Sequence, residues 1–373
     1  MPDFRATACT RYRYRYSECS RCADACPHGA IELSDEGASI DAGVCKECGL
    51  CISSCHTQAW SSPSFEPIEI LRHAIKKPHW RMACEPSGCA GDAKVPCLAA
   101  IDAVWLAYMA KRGIPVSLHG AGHCSQCAHG GKGETQLQLN LQAVAALRDA
   151  AAREVDEAAP PASWVMPVLA DDTRSAAARQ QDARNGNGPS ARRGLFKRFF
   201  GRRAERAAAP EGTGENGRIA QQAVRAAAPV MSERRELLQI VTQRKDDRPM
   251  IVGLDEALPL MHLSLHSGCT LCEACFRVCP SGALEIVEDP GHWALTFQAD
   301  RCLGCQVCLE ACQPRVLDAE ASFDARPGQP PTTLISRTKQ RCSRCDRHFA
   351  SVLPESTCRV CRDDEDAFTA IFG

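Results

Sequence analysis

Three stretches of the chain set apolar residues at helical spacing. Residues 97–112 follow Pro96 and stop at Gly113, a residue type that favours the position just past a helix end. Residues 135–148 bring Leu137, Leu141, Val144 and Leu147 on or near one face. Residues 232–243 open with Ser232 as a cap and carry Leu237, Leu238 and Val241, a face expected to pack on the segment that follows. Residues 79–84 and 114–120 read as strands on either side of the first helix, which predicts a small parallel sheet there. Residues 10–16, Thr-Arg-Tyr-Arg-Tyr-Arg-Tyr, alternate strictly and predict a strand with arginines on one face and tyrosines on the other. From about 171 to 230 the pattern is lost. Ala, Arg, Gly, Gln and Glu dominate, too little is left to bury, and a disordered, flexible linker is expected. Within it, 192–203 would as a helix place Leu195, Phe196, Phe199 and Phe200 on one side and Lys or Arg elsewhere. That is the pattern of an anchor on anionic lipid, of a docking helix, or of a solubilising charged patch.

Composition narrows the class. With 373 residues, 25 cysteines and 5% aromatics, the chain is too long for a disulfide-stapled domain and too poor in large apolar groups for one large core. Several small modules, each nucleated by a cofactor, are expected. The cysteines are odd in number and sit almost entirely in CxxC-type spacings, which favours metal thiolates in a reducing compartment. No apolar leader precedes residue 20 and the most apolar run, near 98–110, is broken by Asp102, so a cytoplasmic protein is expected. A net charge of −1 gives no sign of a nucleic-acid partner. No dinucleotide loop, P-loop or nucleophile–base pattern is present, and no catalytic residue is nominated.

The thiols repeat. Cys269-Thr-Leu-Cys272-Glu-Ala-Cys275-Phe-Arg-Val-Cys279-Pro280 is followed by Cys302-Leu-Gly-Cys305-Gln-Val-Cys308-Leu-Glu-Ala-Cys312. Three thiols at every third position let one tight loop wrap three corners of an iron–sulfur cube, while the fourth lies too far along to close the same cage. Zinc would instead want thiolates in separated pairs. The first sixty residues repeat the pattern with one gap: Cys19-Ser-Arg-Cys22-Ala-Asp-Ala-Cys26-Pro27, then Cys45-Lys-Glu-Cys48-Gly-Leu-Cys51-Ile-Ser-Ser-Cys55. Tyr16 occupies the place three before Cys19, and Cys9 is the nearest substitute, brought back by a hairpin.

Both stretches resemble the bacterial two-cluster ferredoxin. The resemblance implies that Cys269, Cys272, Cys275 and Cys312 hold one 4Fe–4S cluster and that Cys302, Cys305, Cys308 and Cys279 hold another. In the first stretch it implies Cys45, Cys48, Cys51 and Cys26 for one cluster and Cys9, Cys19, Cys22 and Cys55 for a second. Four 4Fe–4S clusters are therefore expected; if Cys9 is not a ligand there are three, with a three-iron or vacant fourth site. Gln313 before Pro314 departs from the family without touching the ligands.

Between the two stretches, Cys84, Cys89, Cys97, Cys124 and Cys127 fall at strand ends and at the start of the 97–112 helix, the edge where α/β folds place ligands. The shared features are a first Cys pair, a Cys opening a helix, a Gly ending it, and a strand leading into Gly-Ala-Gly-His-Cys124-Ser-Gln-Cys127. In these the segment is distantly similar to the small iron–sulfur delta subunit of methyl-viologen-reducing hydrogenase. That similarity implies a 2Fe–2S cluster relaying electrons between larger partners; structural zinc and free thiols are the other readings. The tail, with Cys342-Ser-Arg-Cys345 and Cys358-Arg-Val-Cys361, looks like a zinc ribbon, with a rubredoxin-like iron site as the alternative.

The sequence thus predicts an α+β multidomain chain. Two ferredoxin-like modules of the βαβ dicluster type occupy 1–64 and 231–330, the second with a leading helix; a small α/β module with Cys at strand ends spans 65–170; the linker covers 171–230 and the zinc-ribbon tail 331–373. The expected function is that of a polyferredoxin, relaying single electrons between a low-potential donor protein and a larger acceptor oxidoreductase, with peripheral contact to the inner face of a membrane through 192–203. Whether the chain itself is an enzyme stays open. One alternative is a thiol–disulfide oxidoreductase subunit using Cys124 and Cys127; another is a zinc-binding interaction protein.

Overall fold

The structure is a computed structural model that describes residues 1–152, 164–170, 224–225, 228–230 and 232–364. The basic Phe-rich run at 192–203 and nearly all of the expected linker lie outside the described residues.

The N-terminal and second cysteine-rich stretches share one plan. In the first, Asp3–Phe4 pairs antiparallel with Trp60–Ser61, and the hairpin Ile31–Ser34/Gly37–Ile40 lies between two short helices, Arg21–Ala25 and Leu50–Ser54. In the second, Leu263–Leu265 pairs antiparallel with Leu317–Ala319, and the hairpin Leu284–Asp289/His292–Phe297 lies between helices Ala274–Val278 and Val307–Glu310. Its hairpin grows into a four-stranded sheet, because Thr332–Arg341 pairs with His292–Phe297 and then with His348–Ala350. The tail is therefore joined to the second module by a continuous strand.

Residues 10–16 do not form the expected strand. Thr10–Arg13 is one helical turn, and Tyr14 makes only an isolated bridge, to Val224. Alternation marks a strand where one face is buried, but here Arg13 and Tyr14, neighbours in sequence, are both buried while Tyr16 is 59% exposed. Arg13 reaches the carbonyls of Ala228 and Cys279, and Arg11 Nε donates to the Cys19 carbonyl at 2.6 Å. Individual ties, Arg11 within the module and Arg13 across its boundary, rather than a sheet face, set each side chain.

The middle segment forms the expected parallel sheet, in the order Ala93–Val95, Trp80–Cys84, Val116–His119, Val168–Leu169. Trp80, Met82, Val116 and Leu118 are buried against the helices Ala103–Lys111 and Gly130–Ala152. The first of these helices starts later than its apolar spacing predicts. Cys97 is extended, Leu98–Ala100 is a 3-10 turn, and Asp102 caps the helix by accepting from the N–H groups of Val104 and Trp105 at 2.9 and 3.3 Å. Cys97 therefore precedes the helix instead of opening it.

The helix Glu233–Thr242, capped by Ser232, packs chiefly on Ala103–Lys111 rather than on the segment that follows it. Leu238 and Val241 share a core with Val104, Leu106 and Leu147, and that core also takes in Leu50 from the first module and Met250, Leu258 and Phe323 from the second. This core bridges the three units, while the second module, the first module and the tail also keep smaller cores of their own, as composition predicts. Lys111 Nζ caps the last turn, donating to the carbonyls of Ile240 and Val241 at 2.9 Å.

Two adjacent arginines of this bridging helix grip different modules. Buried Arg234 donates to the carbonyls of Ile52, Ser53 and Cys55 at 3.0–3.1 Å, at the C-terminal end of the Leu50–Ser54 helix, with Nε 2.9 Å from buried Asp102 Oδ2. Arg235 donates to Asp300 O and Ala299 O at 3.0 and 2.7 Å, just ahead of Cys302. No described helix is long and apolar enough to cross a membrane.

Candidate metal centres

In the second module, one pocket is lined by Cys269, Cys272, Cys275 and Cys312 together with Leu265, Trp293 and Leu317. Cys302 and Cys308 are buried in the same module's core, against which Cys279 and Cys305 pack. In the first module, Cys26, Cys45, Cys48 and Cys51 line one pocket. Cys9, Cys19, Cys22 and Cys55 line another, beneath Phe4 and Trp60.

The backbone repeats as the thiols do. In each complete run the residues flanking the middle cysteine are left-handed: Leu271 and Glu273 (φ 55° and 61°), Gly304 and Gln306 (60° and 64°), Glu47 and Gly49 (53° and 78°). The αL pair curls the loop so that three thiols point to a common centre. Each remote cysteine is followed three residues on by another left-handed residue: Gly29, Gln58, Gly282 and Arg315. The interrupted run departs as its sequence does. Ser20 has φ −126°, Cys22 lies in the Arg21–Ala25 helix, and Cys9 enters from the 3-10 turn Ala6–Ala8 rather than from a hairpin.

These donors suit iron–sulfur clusters. Backbone N–H groups aim at sulfur, with Ala30 on Cys26 and Glu47 on Cys45 at 3.4 Å, Ala59 on Cys55 at 3.3 Å, and Gly304 on Cys302 at 3.4 Å. Such bonds stabilise sulfur-borne negative charge. Burial pushes the thiols up, Cys22 and Cys275 to about 12 and Cys302 to about 11, with repulsion from neighbouring thiolates adding to it. Cys305 and Cys308 lie well above the usual range for the same reasons. Four thiolates in so dry a place need a buried positive charge beside them, which cluster iron would provide.

At the C-terminal edge of the parallel sheet, Cys84, Cys97, Cys124 and Cys127 line a pocket with His123 and His129. Cys89 is not among the lining residues; its N–H bonds to Ser87 Oγ at 3.1 Å. The pocket is cut close around sulfur: a Cβ on Gly120 would lie 2.5 Å from Cys84 Sγ, and one on Gly133 would lie 3.2 Å from Cys97 Sγ. Burial raises Cys97 to about 12.

In the tail, the sulfurs of Cys342, Cys345, Cys358 and Cys361 all lie within 4.8 Å of one another. Backbone N–H groups, that of Cys358 3.2 Å from Cys342 Sγ and that of Cys345, bring Cys342 down to about 6, while burial pushes its neighbour Cys361 up to about 12.

Several histidines at these sites carry no ligand spacing, and the sequence nominates none of them as a ligand. His56, next to Cys55, is fully buried, with Nδ1 3.1 Å from Gly304 O and Nε2 3.0 Å from Glu256 O. Burial, with Arg21 adjacent, pulls it down to about 3, so the ring is neutral and donates one N–H. His28 Nε2 and His129 Nδ1 meet at 2.9 Å, and Cys48 Sγ lies within 4.8 Å of both rings.

No curated protein and no solved structure matches the chain. The first ferredoxin-like match begins at Ser17 and so does not include Cys9. Two separate stretches, residues 17–59 and 268–316, match the family model of the 4Fe–4S dicluster domain, and the chemistry they point to is iron–sulfur electron transfer.

Proposed function

We propose that the chain is a polyferredoxin that relays single electrons between a low-potential donor protein and a larger acceptor oxidoreductase. The observation that carries this reading is the convergence of thiols, run by run, on dry sites built with a repeated backbone. Bound there, a 4Fe–4S cluster supplies one-electron exchange with little rearrangement. The residues do the rest. Cys269, Cys272, Cys275 and Cys312 would hold one cluster, Cys279, Cys302, Cys305 and Cys308 the next, Cys26, Cys45, Cys48 and Cys51 a third, and Cys9, Cys19, Cys22 and Cys55 a fourth. Trp60, Trp293, Leu317 and Phe4 exclude water, and the N–H groups aimed at sulfur tune each site.

Cys84, Cys97, Cys124 and Cys127 would hold a further centre, of the 2Fe–2S type by the delta-subunit similarity, and the tail thiols a structural zinc in a ribbon. The donor docks on the chain in the cytoplasm, and residues 192–203 give it contact with a membrane surface or with a partner. The test is a reductive titration of the anaerobically prepared chain. Uptake of about one electron per site, in single-electron steps and with bleaching of visible absorption, is expected. Uptake only in pairs, with no visible change and with thiols appearing, would identify dithiol–disulfide chemistry instead.

A further inference from the structure

Resting on the relay reading, we infer that the five thiol sites form one ordered row, with the crossing between the two ferredoxin modules at Cys305 and Cys19. The row runs from Cys269/272/275/312 to Cys279/302/305/308, then to Cys9/19/22/55, to Cys26/45/48/51, and ends at Cys84/97/124/127.

The crossing is visible in three ways. Cys305 of the second module lines the pocket that holds Cys9, Cys19, Cys22 and Cys55 of the first. Cys19 and Cys305 also both border a cleft of about 490 Å³ between the modules. His56, next to the ligand Cys55, is clamped between Gly304 O, inside the Cys302–Cys305 ligand loop, and Glu256 O.

The far end is joined as closely. Cys48 shares a core with Cys84, and Cys97 packs against that core. His28, two residues past Cys26, bonds to His129, two past Cys127. Within the modules, Cys275 packs against the core that holds Cys308, and Cys22 against the core that holds Cys51. Gly49 marks the far junction as well. Of the left-handed positions that flank the middle cysteines, Gly49 and Gly304 alone lack a side chain. A Cβ on Gly49 would lie 2.9 Å from Ala100 Cβ, in the α/β module, and one on Gly304 would lie 3.0 Å from Leu260 N, in the segment that also offers Glu256 O to His56. The other flanking positions carry Leu271, Glu273, Gln306 and Glu47.

The row gives the partners their places: donor and acceptor dock at opposite ends, one beside the Cys269–Cys275 loop and the other beside Cys84 and Cys124. The full chain bearing Cys272→Ser and Cys48→Ser keeps, among the 4Fe–4S sites, only the pair at the crossing. After anaerobic cluster assembly, it should lose about eight irons relative to the native chain, and its reduced EPR spectrum should show two interacting, mutually broadened spins. Two independent, unbroadened signals would overturn the row. In a second arm, Cys22→Ser alone empties the middle site, and the broadening of the second module's signals should fall to that of an isolated pair; unchanged broadening with the site shown empty by iron count would also overturn it. An iron-free chain would defeat the relay reading itself, whereas an iron-loaded chain with magnetically independent modules would defeat only the row.

Discussion

Replacing Arg234 by Met keeps the length and apolar stem of the side chain and removes its charge. The structure fixes what is lost. Hydrogen bonds to the carbonyls of Ile52, Ser53 and Cys55 disappear, and Asp102, itself buried, is left without the guanidinium 2.9 Å away. Removing one partner of a buried pair costs about 3–5 kcal/mol. At about 2 °C per kcal/mol for a unit of this size, the midpoint of anaerobic thermal unfolding should fall by about 6–10 °C. Burial already raises the Asp102 carboxyl, with Arg234 and the cap N–H groups opposing that rise. A carboxyl raised in the fold favours stability at low pH and loses that contribution as pH rises through its folded pKa, so the Arg234→Met deficit should widen as pH rises above the ordinary carboxylate range. Asp102→Asn in the same chain should restore part of the loss. Far-UV dichroism and visible absorbance, followed together, read both the fold and the sites. A midpoint shift below about 2 °C, or a double variant no better than the single one, would refute the account of this buried pair.

Gly49→Ala should cost about 1–3 kcal/mol, since its φ of 78° and the 2.9 Å approach to Ala100 both oppose a side chain; Gly291→Ala, which meets open space, should stay within about 0.5 kcal/mol, and parallel thermal melts compare the two. Cys9→Ala should remove about one to four irons per chain, according to whether a three-iron remnant survives, and should leave the other sites loaded; undiminished iron would show that Cys9 is not a ligand. A zinc chelator applied anaerobically should strip the tail thiols while the iron count holds. Amide exchange should then rise around 342–361 but not across Leu295 and Ile335, which pair in the second module's sheet.

The ligand runs were legible because their information is local: three thiols and two left-handed residues close a loop without help from elsewhere. The strands at Trp80–Cys84 and Val116–His119 and the helix Gly130–Ala152 were legible for a similar reason, each burying one regular face. What failed was non-local. The arginines of 10–16 look like one face of a strand, yet Arg11 serves Cys19 and Arg13 serves Cys279, in different modules. Nothing in a short window around Arg234 and Arg235 shows that carbonyl ends from two other segments will meet them. The Asp102 cap was equally hidden, since the apolar spacing of 97–112 runs on through a 3-10 turn. The glycines beside Cys48 and Cys305, where the other runs carry Leu, Glu or Gln, acquire meaning only once Ala100 and Leu260 are in place.

The most direct test of the central claim is the count of iron, acid-labile sulfide and zinc in chain purified without oxygen. About sixteen irons with equal sulfide, about two more of each if Cys84, Cys97, Cys124 and Cys127 hold a 2Fe–2S centre, and about one zinc are expected. A colourless chain with little iron, no sulfide and freely titrating thiols would contradict it.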